Sequence, residues 1–148
     1  MADYPWYKSY DKGVPHSLTP YPEITLLDVI AETTREMPEH TFMYFKDRYF
    51  SYKEASRLFE VMASALMANG VKPGDRVASM LLNTPQQLTA AFGTMKAGGI
   101  FVPLNPLYNE DELVHTLATV EAEVIVVWDL LYASVKKVQS RTKLKLVI

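Results

Sequence analysis

After the turn Lys72-Pro73-Gly74-Asp75, short apolar segments alternate with stretches of helical periodicity, and this alternation constrains the fold more than any other feature of the chain. The expected strands are Arg76 to Leu82, Ile100 to Pro103, Val124 to Val127 and Leu144 to Ile148. Between them the spacing predicts helices over Pro85 to Ala97, Glu110 to Val120 and Leu130 to Ser140. Strands joined by helices of this length need right-handed crossovers, which place the strands parallel and cover both faces of the sheet. The expected class is therefore α/β, a parallel sheet with helices on both faces.

Upstream, the pattern differs. Residues 1–22 hold four prolines (Pro5, Pro15, Pro20, Pro22) interleaved with Tyr4, Trp6, Tyr7, Tyr10 and Tyr21, which predicts an extended aromatic arm. Rings exposed on such an arm need cover, and packing on the chain's own domain is the simpler expectation over reaching a partner subunit or a missing domain. Thr25 caps an expected helix to about Met37, with Leu26, Ile30, Thr34 and Met37 at helical spacing before Pro38. Phe42 to Phe45 and Tyr49 to Ser51 read as a small hairpin about Lys46, Asp47 and Arg48. Ser51 and Glu54 form a capping box that opens a long helix with a stripe of Ala55, Leu58, Phe59, Met62 and Leu66, ended by Gly70.

Composition narrows the function classes. With 49% hydrophobic and 22% charged residues, the 148-residue chain is an ordinary globular protein able to bury about two thirds of its unfolded surface. A net charge of -2 gives no field for nucleic acid. Absence of cysteine removes disulfides and thiol nucleophiles and agrees with a cytoplasmic setting, with peripheral membrane contact as a further expectation. No apolar run is long enough to span a bilayer. The chain stops on the apolar segment Leu144 to Ile148, which reads as truncation within a core element.

Open α/β sheets bind ligands beyond the carboxyl ends of their strands, which directs attention to Asn83 to Pro85, Leu104 to Asn109 and Trp128 to Asp129. Asn83 or Thr84 is expected to cap the helix that begins at Pro85, and capping alone accounts for these residues. Gly93 and Gly98 match the spacing of a phosphate loop, but Gly99 stands where lysine is needed. That stretch reads instead as a helical stripe of Leu88, Ala91, Phe92 and Met95 ended by Gly98 and Gly99. His16, His40 and His115 lack metal-ligand spacing. Glu110, Asp111 and Glu112 suit a helix dipole better than acid-base chemistry. The basic group Lys136, Lys137, Arg141, Lys143 and Lys145 reads as a solvated face before it reads as a phosphate or lipid site.

Four segments in order carry a resemblance: PWYKSYDKGVP (Pro5 to Pro15), KPGDRVA (Lys72 to Ala78), MKAGGIFVPLNPLYNEDEL (Met95 to Leu113) and EAEVIVV (Glu121 to Val127). Together they resemble the opening of the adenylate-forming superfamily, and the arm with NPLY resembles the AMP-forming long-chain fatty acid to coenzyme A ligases. The resemblance implies an enzyme that uses ATP and Mg2+ to convert a fatty acid to acyl-AMP and pyrophosphate, then exchanges AMP for coenzyme A. It implies that residues 23–148 are the first α/β subdomain of a larger ligase N-terminal domain, with the remainder of the ligase as partner. The Ser/Thr/Gly-rich loop ending in Pro-Lys-Gly and the later catalytic lysine have no counterpart in these residues, so no catalytic or metal residue is assigned and no cofactor is expected to bind this chain tightly. In relatives the loop matching Leu104, Asn105 and Pro106 lies near the coenzyme A path. The alternative is a stand-alone binding or dimerisation module of the same fold, paired through the arm.

Overall fold

The computed structural model describes residues 4–148, so residues 1–3 of the expected arm lie outside the described residues. Strands β1 (Thr41–Phe45) and β2 (Arg48–Ser51) form an antiparallel hairpin. Strands β3 (Arg76–Met80), β4 (Ile100–Pro103), β5 (Val124–Val127) and β6 (Leu146–Val147) form a parallel sheet in the order β4-β3-β5-β6. The helices are α1 (Leu26–Glu36), α2 (Tyr52–Ala68), α3 (Pro85–Lys96), α4 (Glu110–Val120) and α5 (Tyr132–Gln139).

Alternation along the two central strands divides the core between two faces. Val77, Val124 and Val126 pack with Ala63 and Leu66 of α2 and Ala90 of α3. Ala78, Met80 and Ile125, one residue out of phase, pack with Leu113 and Leu117 of α4 and Val135 and Val138 of α5. Both faces are thus buried, which explains why these strands read as unbroken apolar runs.

Three helices open with capping boxes: Thr25 with Asp28, Ser51 with Glu54, and Asn109 with Glu112. In the first, the Thr25 hydroxyl donates to Asp28 Oδ2 at 2.6 Å, and this bond with that of the Thr25 amide holds the Asp28 carboxyl below its usual range. Helix α4 ends on Glu121 at φ 52°. Hydrogen bonding by Lys143, then the charges of Lys143 and Arg76, keeps the Glu121 carboxyl below its ordinary value. The hairpin turns through Lys46 (φ 44°) and Asp47 (φ 57°), the two left-handed residues that match strand twist in a two-residue connection.

Several expectations are corrected. Strand β6 covers only Leu146–Val147, because Leu144 leaves the ladder to pack in the α4–α5 core. A 3-10 turn at Asp129–Leu131 precedes α5, which starts at Tyr132. Leu26 on α1 and Met37 just beyond it are exposed, and Leu27 turns inward beside the expected Ile30 and Thr34. On α2, Leu58 is exposed and Ala63 takes a buried place. On α3 the fully buried face is Pro85, Ala90, Gly93 and Thr94, not the bulky series. Phe92 of that series lies tilted against Phe59 (4.8 Å between ring centres) and meets Phe42 of the hairpin edge-on.

The arm does not pack on the domain as expected. Residues Pro5–Ser9 form a 3-10 helix, and the rings pack on one another: Tyr4 on Trp6 (4.6 Å) and Tyr7 on His16 (3.9 Å). Trp6 remains 53% exposed and Tyr21 66% exposed.

Candidate functional site

The chain leaves β3 toward β4 over one face of the sheet and leaves β5 toward β6 over the other, since α3 packs on the α2 side and α5 on the opposite side. Adjacent strands whose connections diverge create a crevice at their carboxyl ends, a topological switch point. Here it falls between β3 and β5. The last rung is the Trp128 amide donating to the Met80 carbonyl at 3.2 Å, after which the chains separate. The resulting crevice encloses about 700 Å³ and is lined by Leu82, Asn83, Thr84, Gln86, Trp128 and Asp129, with Lys46 of the hairpin above. Two of the three loops singled out in the sequence therefore meet in one cavity.

The third loop lies alongside, tied in by the Leu104 amide donating to the Ser79 carbonyl at 2.8 Å. Leu104 is 6% exposed and belongs to the core. The Asn105 side-chain oxygen accepts from the Leu107 amide at 3.0 Å, and the Asn105 carbonyl accepts from the Tyr108 amide at 3.1 Å. Two of the three candidate residues thus build the loop, leaving half-buried Pro106 and exposed Leu107 as its outward surface.

Thr84 occupies the N-cap of α3, but its side chain makes no cap bond, so the expectation that capping accounts for the Asn83–Pro85 loop is not met. A feature missed in the sequence lies beneath this loop. Ser79 is fully buried, and its hydroxyl donates to Gln87 Oε1 at 2.5 Å, fixing the first turn of α3 against the strand. The signal was present as a lone hydroxyl within an otherwise apolar central strand, where a buried polar group requires a partner.

The basic and acidic groups find each other. Lys137 pairs with Glu110 (3.3 Å), Arg141 with Asp111 (2.9 Å), Lys145 with Glu123 (2.7 Å), and Lys143 with Glu121. Helix α4 acids therefore brace α5 as well as complementing a dipole. The residues present do not fit a triphosphate and its metal. Gly93 lies mid-helix with Met62 where its side chain would be, Gly98 ends that helix at φ 78°, and no group of three metal-ligating side chains occurs among the described residues.

A parallel sheet covered on both faces, with an open crevice where its connections diverge, defines a doubly wound α/β protein. The chain belongs to the family of AMP-binding enzymes, whose profile matches residues 30–148, and so to the superfamily of AMP-forming acyl-CoA ligases and peptide-synthetase adenylation domains. A long-chain-fatty-acid–CoA ligase of Bacillus subtilis (strain 168) is 35% identical over 136 residues, 92% of this chain and 24% of that protein. Tyrocidine synthase 2 of Brevibacillus parabrevis is 30% identical over 102 residues, 69% of this chain and 3% of the synthase. The crystal structure of a long-chain-fatty-acid–CoA ligase from Archaeoglobus fulgidus is similar with a TM-score of 0.82 at 27% identity, covering 94% of this chain and 29% of that one. The chain spans about a quarter of the length of these two ligases.

Proposed function

We propose that this chain is the N-terminal part of a long-chain fatty acid to coenzyme A ligase. On this reading residues 23–148 are the first α/β subdomain and residues 1–22 its arm. The complete enzyme activates a fatty acid with ATP and Mg2+ to acyl-AMP and pyrophosphate, then transfers the acyl group to coenzyme A. The observation that carries the reading is the 92% coverage at 35% identity with the Bacillus ligase, against 69% with a peptide synthetase.

In this reading the chain contributes architecture and one wall of the ligand crevice. The Leu104–Pro106 loop borders the coenzyme A path, with Pro106 outermost and Leu104 as its anchor. The 148 residues alone bind no nucleotide tightly and do not adenylate, because they lack a phosphate grip. The setting is cytoplasmic, with peripheral membrane contact; no helix among the described residues is long and apolar enough to cross a bilayer. A second reading, a non-catalytic module that dimerises through its arm, is favoured by the exposure of Trp6 and Tyr21.

Fatty-acid-dependent ATP–pyrophosphate exchange tests the main reading. The 148-residue chain is expected to give none. The same chain extended by its encoded continuation, through a Ser/Thr/Gly-rich loop ending in Pro-Lys-Gly and on through the later catalytic lysine, is expected to exchange. Exchange by the short chain overturns the assigned inactivity, and an extended chain without that loop or without exchange overturns the ligase reading.

A further inference from the structure

One face of the hairpin and the last part of the arm are both left without cover. On the hairpin, Phe42 packs inward against Tyr52, Phe59 and Phe92, and Phe50 is buried. The cross-strand pair Tyr44 and Tyr49 stands outside that core. Its rings lie 4.7 Å apart, tilted by 38°, and remain 55% and 66% exposed. The Tyr44 hydroxyl donates to Asp47 Oδ1 at 2.9 Å, which fixes the ring and engages the one acid of the turn. Lys46 and Arg48, on either side of Asp47, have no ion-pair partner among the described residues.

On the arm, Tyr4, Trp6, Tyr7, Tyr10 and His16 stack among themselves, and Tyr21 takes no part in that cluster. Residues 18–24 are exposed throughout and belong to no helix or strand. The stretch Pro20-Tyr21-Pro22 nevertheless has little freedom to lose. Proline fixes φ at both ends, and a residue that precedes proline is held to extended backbone. Such segments are bound by laying proline rings on a pair of aromatic side chains, and their restricted backbone lowers the entropy lost on docking. Charge agrees with the match. The hairpin Thr41 to Ser51 has two cations against one acid, whereas residues 18–24 carry Glu23 alone. Nothing within one molecule joins the two surfaces, since among the described residues no ring of the arm meets Tyr44 or Tyr49.

We propose that the Tyr44–Tyr49 face receives the Pro20-Tyr21-Pro22 segment of a second copy of this chain, with Glu23 directed to Lys46 and Arg48. The exchange is reciprocal. A two-fold pair seats both segments on both faces at once, so two contacts that are weak singly act together. The inference rests on the second reading above, pairing through the arm, and names the surface that takes the arm; the ligase reading does not depend on it.

Sedimentation equilibrium of the 148-residue chain tests this. The chain is expected to dimerise, and the double variants Tyr44→Ala with Tyr49→Ala and Pro20→Ala with Pro22→Ala are each expected to weaken the dimer at least about tenfold. Glu23→Lys is expected to weaken it about fivefold. Adding Lys46→Glu and Arg48→Glu to Glu23→Lys is expected to restore it, an outcome that unfolding cannot mimic. A dimer that is lost on deleting residues 1–22 but survives loss of both tyrosines leaves pairing through the arm standing and refutes this surface. A monomer at every concentration up to about 1 mM overturns both. Reversed charges that fail to restore the dimer also refute the proposal.

Discussion

Gly93 shows how a residue's role can hide behind its spacing. Paired with Gly98 it suggests a phosphate loop, yet its place is the α2–α3 contact, where an added Cβ would lie 2.5 Å from Met62 Cβ and 3.3 Å from the Ala63 amide nitrogen. Sequence periodicity registers hydrophobicity, so it picked out Leu88, Phe92 and Met95 and passed over the small residues that let the helices touch. Gly93→Ala gains about 1 kcal/mol of helix propensity. It also forces apart a packed pair, at a cost of typically about 1–3 kcal/mol. The expected result is a net loss of about 1 kcal/mol, read as a lower urea midpoint with unchanged slope. A rise in the midpoint, the outcome for an exposed helical glycine, would refute the close packing. Ser79 teaches the complementary lesson. Its burial follows from strand position, but its bond to Gln87 depends on where the next helix starts, which periodicity locates only to within a residue or two.

At the scale of elements, boundaries were legible where chemistry punctuates the chain. Strands β4 and β5 and helix α4 fall within the bounds read from the sequence, with α4 set by the Asn109 cap and the left-handed Glu121. Of the three capping boxes only Ser51 with Glu54 has the S-x-x-E pattern, although Thr25 with Asp28 and Asn109 with Glu112 make the same reciprocal bonds. Strand β6 was read too long because apolar character does not separate a residue in a ladder from one beneath it. The Lys145 and Leu146 amides both donate to the Glu123 carbonyl, and Leu144 already lies under α5. The cap and the surface ion pairs of α4 should differ in weight. Asn109→Ala removes the acceptor for the Glu112 amide and should lower unfolding free energy by about 1 kcal/mol. Arg141→Ala breaks the exposed pair with Asp111 and should change it by less than about 0.5 kcal/mol. Chemical denaturation of both variants in one buffer checks the ordering, and a larger effect from Arg141 would mean that the α4–α5 ion pairs act as a network.

For the whole molecule, the alternation of strands and helices was enough to give a parallel sheet with two covered faces, because each crossover must bury one side. It did not give the strand order, and so not the position of the crevice. That depends on the reversal that leaves β3 inside the sheet between β4 and β5, a choice made by packing of α3 on α2 through small residues. The arm departs further from its sequence pattern. Aromatic content implied docking on the domain, whereas Tyr4 covers Trp6 and Tyr7 covers His16 while most of the surrounding surface stays open. An arm whose rings stack on one another and stay exposed adds little to the cooperative unit, in which the first buried apolar residue among those described is Phe50 of β2. Removing residues 1–22 should therefore leave the urea dependence of unfolding, which scales with surface exposed, nearly unchanged, and shift stability by less than about 0.5 kcal/mol. A loss of several kcal/mol would show that the arm docks on the domain in solution. Sedimentation of the same two proteins decides what the exposed rings are for: a dimer that becomes a monomer on deletion supports pairing through the arm, whereas monomers in both cases remove that reading and leave the rings to the rest of a longer ligase.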